Sequence, residues 1–235
     1  MATAVDYAPP EARESHRGPP LGLVATVFVA LVIASLALDV ATTGNTPYTI
    51  PYDPPDAARA YFGSHAGAIG IGAFLMFGAA IPLGIFAATV VSRLRFFGLN
   101  VAGVTIALFG GISASVLLAL AALTTWVLAQ PGVADDLSTL RALQSFAFAT
   151  GGPGHIAMLG LLLAGVSVPA AFAKLLPSWL VWLGLIVAVI AELSTLSLVV
   201  PVLDTLLPLA RFLALVWLIG VGFTMPASRS ASAHG

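Results

Sequence analysis

Three ionisable side chains stand inside long apolar runs of this sequence: His155 in ATGGPGHIAMLG, Glu192 in VIAELSTLSL and Arg211 in LPLARFLAL. A charged group in hydrocarbon costs about 2.5–3.5 kcal/mol on insertion scales, and such residues are normally directed inward, to a partner or to water. With a helical rise of about 1.5 Å per residue, all three fall in the outer half of a bilayer at depths that side chains can bridge. The expectation is an ion pair between Glu192 and Arg211 across the short turn VVPVLDTLLP. Two chemistries stay open for it. One is a structural bridge between helices. The other is a polar cavity open to the outside, floored by His155 and lined by Ser113, Ser194 and Ser197, in which the pair binds a solute or moves a proton. His155 itself reads either as a satisfied core residue or as a working member of that cavity.

The elements that must position these groups include one that is built to fail. Gly151, Gly152, Pro153 and Gly154 precede His155 directly, and glycine and proline interrupt the ladder of backbone hydrogen bonds. Unsatisfied backbone is tolerated in a membrane only where protein or a water-filled cavity covers it, so the break should face the bundle interior. It reads as a proline kink or as one of the discontinuous helices that line transporter sites.

The chain has 235 residues, of which 59% are hydrophobic and 8% charged, and a mean hydropathy of +1.03. A soluble core cannot hide that much apolar surface, whereas lipid accepts it. The expected fold is an all-α integral membrane protein, a bundle of six transmembrane helices with spans near 21–40, 66–92, 97–128, 144–173, 178–200 and 205–225. Residues 1–20 read as a disordered polar tail, 21–226 as one membrane domain and 227–235 as a short C-terminal tail. The first apolar run is longer than the core of a signal peptide and is expected to stay as a helix. The loop 42–65 is expected to be ordered, or to carry a short interfacial helix over DAARAYF.

Lys and Arg near span ends stay preferentially in the cytoplasm. Cytoplasmic termini put Arg13, Arg17, Arg93, Arg95, Lys174 and Arg229 inside and leave only Arg59 and Arg141 outside. Most loop carboxylates, including Asp53, Asp56, Asp135, Asp136 and Asp204, then lie outside, and Asp39 reads as part of an acidic outer rim or as a solvated loop face. The bacterial inner membrane is the expected location. Small residues at Gly103, Ala107, Gly111, Ser115 and Ala119 recur at a spacing of four, which lines one helical face for close backbone approach. That face reads either as packing within the bundle or as a dimerisation seam.

Catalytic signatures are weak. GISAS at 111–115 resembles the buried serine motif of rhomboid intramembrane proteases, yet Ala114 stands where a glycine follows the serine, and the last span has no histidine to act as base. No cysteine occurs, which rules out disulfides, thiolate metal sites and iron–sulfur clusters. His65 and His155 differ in depth, against a bis-histidine haem, and neither a metal-binding His pair nor a Walker sequence is present. No cofactor and no metal is expected, and a formal net charge of −1 carries no nucleic-acid footprint.

Two stretches, LLPSWLVWLGLIVAVIAEL at 175–193 and PLARFLALVWLIGVGFTMP at 208–226, together with the long first outer loop, resemble a family of small bacterial six-span membrane proteins catalogued as a domain of unknown function. The resemblance implies a six-helix membrane fold and brings no activity or site residues with it. Arg211 departs from it, where an uncharged or acidic residue is expected. The first functional expectation is a noncatalytic membrane protein that binds or stabilises a membrane protein partner or a lipid, with the lipid bilayer as its surroundings. The alternatives are a small-solute or proton-coupled transporter assembled as a homo-oligomer, and then an intramembrane enzyme.

Overall fold

A computed structural model describes residues 13–44 and 49–230 of the chain, and they fold into a helical bundle. Its helices are α1 (Leu21–Thr43), α2 (Pro55–Phe96), α3 (Ala102–Leu128), α4 (Leu137–Ala149), α5 (His155–Phe172), α6 (Ser178–Leu193) and α7 (Leu206–Thr224). A π-type turn, Thr150–Gly154, joins α4 to α5, and 3₁₀ turns at Ser194–Leu198 and Pro201–Thr205 join α6 to α7. Counting α4, the π turn and α5 as one leg, six helical stretches among the described residues are long and apolar enough to cross a membrane.

The legs run up and down. Packing follows chain order, α1 on α2, α2 on α3, α3 on α5, α5 on α6 and α6 on α7, and α7 closes the ring against α1. Both ends of the described chain therefore lie at one end of the bundle, called proximal here; the α1–α2, α3–α4 and α6–α7 connections lie at the distal end. Helix α2 extends beyond the expected span because the interfacial helix over DAARAYF joins it across a kink at His65 (φ −118°, ψ 16°).

The polar tail departs from the expectation of disorder where it lies inside the described residues. β1 (Arg13–Ser15) pairs antiparallel with β2 (Ser228–Ser230), and Arg229 bonds Glu14 at 2.9 Å and the Phe96 carbonyl at 2.8 Å while stacking on the Phe96 ring. Two short polar segments thereby satisfy each other's backbone groups at the foot of α2. Residues 1–12 lie outside the described part.

The small-residue face of α3 packs within the bundle. A side chain on Gly103 would lie 3.2 Å from Pro169, one on Gly110 2.6 Å from the Met158 carbonyl, and one on Gly111 would collide with Ala87. Ser115 Oγ donates to the Ala80 carbonyl at 2.7 Å, and Ala107 is fully buried with Ala119 packed against the same core. Gly103, Ala107, Gly111 and Ser115 thus let α3 sit between α2 and α5 at backbone distance. Below this level the core is filled by Leu83, Phe86, Leu162, Leu163 and Trp217, each buried almost completely.

Candidate functional site

The helix break and the intramembrane arginine account for each other. Gly152 leaves helical geometry at φ −90°, ψ −107°, and Pro153 has no N–H to offer. The His155 amide bonds the carbonyls of Gly152 and Thr150, so the Gly151 oxygen lacks the donor four residues on that a regular helix provides. Arg211 of α7 supplies it: Nη2 donates to the Gly151 carbonyl at 2.6 Å. Close packing demands glycine at the same place, since a side chain on Gly151 would lie 2.8 Å from Ala121.

Around this contact lies a cavity of about 540 Å³ in the distal half of the bundle. Ser35, Leu36 and Asp39 of α1, the Tyr61–Met76 stretch of α2, Leu118, Ala121, Ala122 and Thr125 of α3, Phe148, Gly151 and Gly152 of the broken leg, and Leu207, Pro208, Arg211 and Phe212 of α7 form its wall. Ile50 reaches it from the α1–α2 connection and Asp204 from the last 3₁₀ turn. Most of this surface is apolar, and a few polar groups converge on it. Asp39 accepts from the Tyr61 hydroxyl at 2.9 Å, and Ser35 donates to the Gly72 carbonyl at 3.0 Å. Asp204 and Ser197 are neighbours, and Asp204 Oδ1 and Ser197 Oγ are both buried without a contact of hydrogen-bond geometry among the described residues.

The distal connections are tied down over the cavity. Buried Gln144 donates to the Thr49 carbonyl at 2.9 Å and Arg141 to the Asp53 carbonyl at 3.0 Å. Tyr52 meets the Phe148 ring edge-on at 6.0 Å. Asp136 caps α4 by accepting from the Ser138 amide at 3.0 Å and the Thr139 hydroxyl at 2.6 Å. These bonds, with Thr139 the foremost cause, hold its carboxyl below the usual range.

The expected polar cluster is only partly assembled. Glu192 and Arg211 do not pair: among the described residues the ion pair is Arg229 with Glu14, and Glu192 is exposed on α6, its carboxylate near Gly160. Depth matching placed the two at one height, but Glu192, four residues after Ala188, borders the buried face of α6 that runs through Gly184, Val187, Ala188 and Ala191, on the side turned to Gly160 of α5 and not to α7. His155 is 2% exposed, with Nδ1 2.9 Å from the Ala114 carbonyl. It is a bonded core residue off the cavity wall. Ser194 donates to the Ala191 carbonyl at 2.6 Å, closing the end of α6. Ser113 faces a separate open groove beside Pro153, Gly154 and Thr195. Of the residues singled out for the cavity or the break, Arg211, Gly151 and Gly152 line it.

Asp39, Asp204 and Tyr61 belong to the site and were not assigned to it from sequence. The available signal was positional: Asp39 closes the first apolar run and Asp204 precedes the last by a few residues, at the level Arg211 reaches. The chain matches no protein-family model, no curated protein and no solved structure.

Proposed function

We propose that the chain crosses a bacterial inner membrane six times with both termini in the cytoplasm, and that it binds a lipid-like amphiphile in the distal, outward cavity. Supporting the topology are six long apolar helical stretches and the gathering of Arg17, Arg93, Arg95, Lys174 and Arg229 at the proximal end against Arg59 and Arg141 at the distal one, as the positive-inside rule requires. The bacterial setting follows the family resemblance.

The observation that carries the binding reading is one guanidinium, held by a broken helix, in a largely apolar chamber of about 540 Å³. That volume lies within the range of roughly 300–1,000 Å³ found for small-molecule sites, and apolar walls with a few fixed polar groups are their usual lining. The packed layer of Phe86, Leu162, Leu163 and Trp217 closes the route to the proximal side, which favours a binding chamber over a conduit. The chain has no native cysteine, so single cysteines report cleanly. A cysteine at Ala68 or Ala122 on the cavity wall is expected to react with a long-chain maleimide faster than with a charged sulfonate reagent, and one at His155 with neither. Faster reaction with the charged reagent at the wall positions would favour a water-filled transport vestibule and remove the amphiphile reading.

A further inference from the structure

Granted that the distal cavity is a ligand site, as proposed above, we infer that its occupant is a cation: a protonated amine carried on an apolar chain. The ionisable side chains on the wall, tyrosine aside, are Asp39, Asp204 and Arg211. Two carboxylates against one guanidinium leave the chamber one negative charge in excess. The four residues of the α1–α2 connection outside the described part, Asn45, Thr46, Pro47 and Tyr48, add no charge to that sum. In surroundings of low polarity an uncompensated carboxylate is costly, and the cost falls when an opposite charge and hydrogen-bond donors arrive together.

The three groups are not equally served by the protein. Arg211 is held on the Gly151 carbonyl, and Asp39 accepts one bond from Tyr61. Asp204 has the neighbouring Ser197 hydroxyl as its one nearby donor, and that contact falls outside hydrogen-bond geometry among the described residues. What the wall lacks is therefore a donor with positive charge. An alkylammonium supplies three N–H donors on one cation, brings the chamber to neutrality, and lays its chain along Ile69, Ala73, Leu118 and Ala122. A carboxylate or phosphate on the same chain would raise the excess to two, and an alcohol would leave it uncorrected.

Matched probes separate these cases: dodecylammonium, dodecanoate and dodecanol, titrated calorimetrically against the full chain in phosphatidylcholine nanodiscs, with empty discs as the baseline. Dodecylammonium is expected to bind at least about tenfold more tightly than the other two, the difference that one charge-assisted hydrogen bond supplies. Asp204→Asn and Asp39→Asn should each remove most of that preference, while Ala68→Phe, which fills the chamber, should abolish binding of all three. Tightest binding of dodecanoate, or equal binding of the three probes, overturns the cationic assignment and leaves the cavity reading in place. Binding that Ala68→Phe does not alter, or no binding above empty discs, overturns both. The ranking on the unaltered chain decides the matter even if an Asp variant fails to fold. Repeating the dodecylammonium titration in discs containing phosphatidylethanolamine separates the two sources of such an amine: competition marks a lipid headgroup, and its absence marks a free amphiphilic amine.

Discussion

The two halves of the bundle use glycine in opposite ways. In the proximal half it brings backbones together: a side chain on Gly165 would lie 2.6 Å from both the Ala107 amide and the Gly103 carbonyl, and one on Gly222 would lie 3.0 Å from Gly22. In the distal half its use is divided: nothing lies within 4 Å of a side chain placed on Gly63 or Gly67, which are exposed on α2, while Gly151 packs on Ala121 and Gly152 borders the cavity beside Leu207. One residue type therefore joins helices at one end and at the other is shared between open surface and the cavity wall, and what differs is whether a second helix stands opposite. The sealed half holds the fold, while the hollow half can afford a broken helix and a charged side chain.

The largest expected effect breaks the seal. Gly165→Ala forces α3 and α5 apart, because the obstructing atoms are backbone and cannot rotate aside, and should cost about 3 kcal/mol or more in reversible unfolding. A loss below about 1 kcal/mol would show that the two helices are not in backbone contact. Arg211→Leu comes next. It strips the Gly151 carbonyl of its donor and leaves the cavity carboxylates without their cation, for an expected loss of about 2 kcal/mol. If Arg211→Lys restores most of the stability lost by Arg211→Leu, the point charge matters more than the reach to Gly151.

The hollow half should behave differently. Gly67→Ala meets open space in a helix and should stabilise by about 1 kcal/mol, from helix propensity alone; destabilisation would reveal a partner packed on that face. Glu192→Gln should change stability by no more than about 0.5 kcal/mol, and combined with Arg211→Leu it should give the sum of the single effects. A double variant markedly more stable than that sum would reinstate the ion pair between them.

Acid should distinguish the two ends with the smallest effect. At the proximal end, burial and then the neighbouring Arg93 push His16 below its usual value, where it meets Ser92 at 3.0 Å and Phe96 edge-on. Its contribution is complete above the ordinary histidine value of about 6.5 and is lost as pH falls from there towards the lower folded value. At the distal end the depressed carboxyl of Asp136 gives a contribution complete above about pH 4, lost as pH falls through its lower folded value. Between pH 7 and 5, amide protection, taken relative to the intrinsic exchange rate at each pH, should therefore fall in the Arg13–Ser15 strand and not in α4. A fall at both together would remove the distinction.

Composition and hydropathy carried the architecture, because an apolar run of about 20 residues must be a helix wherever its backbone can bond only to itself. The break at Gly151–Gly154 was legible for the same local reason: glycine and proline act on their own turn whatever surrounds them. Depth was legible too, since rise along a helix is a property of the chain, and it put Arg211 level with the break. Azimuth was not. Each residue turns the helix by about 100°, so whether Glu192 or the Gly151 carbonyl meets Arg211 depends on how α6 and α7 are rotated against α5. Packing at Gly160, Gly184 and Trp217, contributed by three different helices, sets that rotation, and so only the tertiary structure decided which polar groups share the cavity.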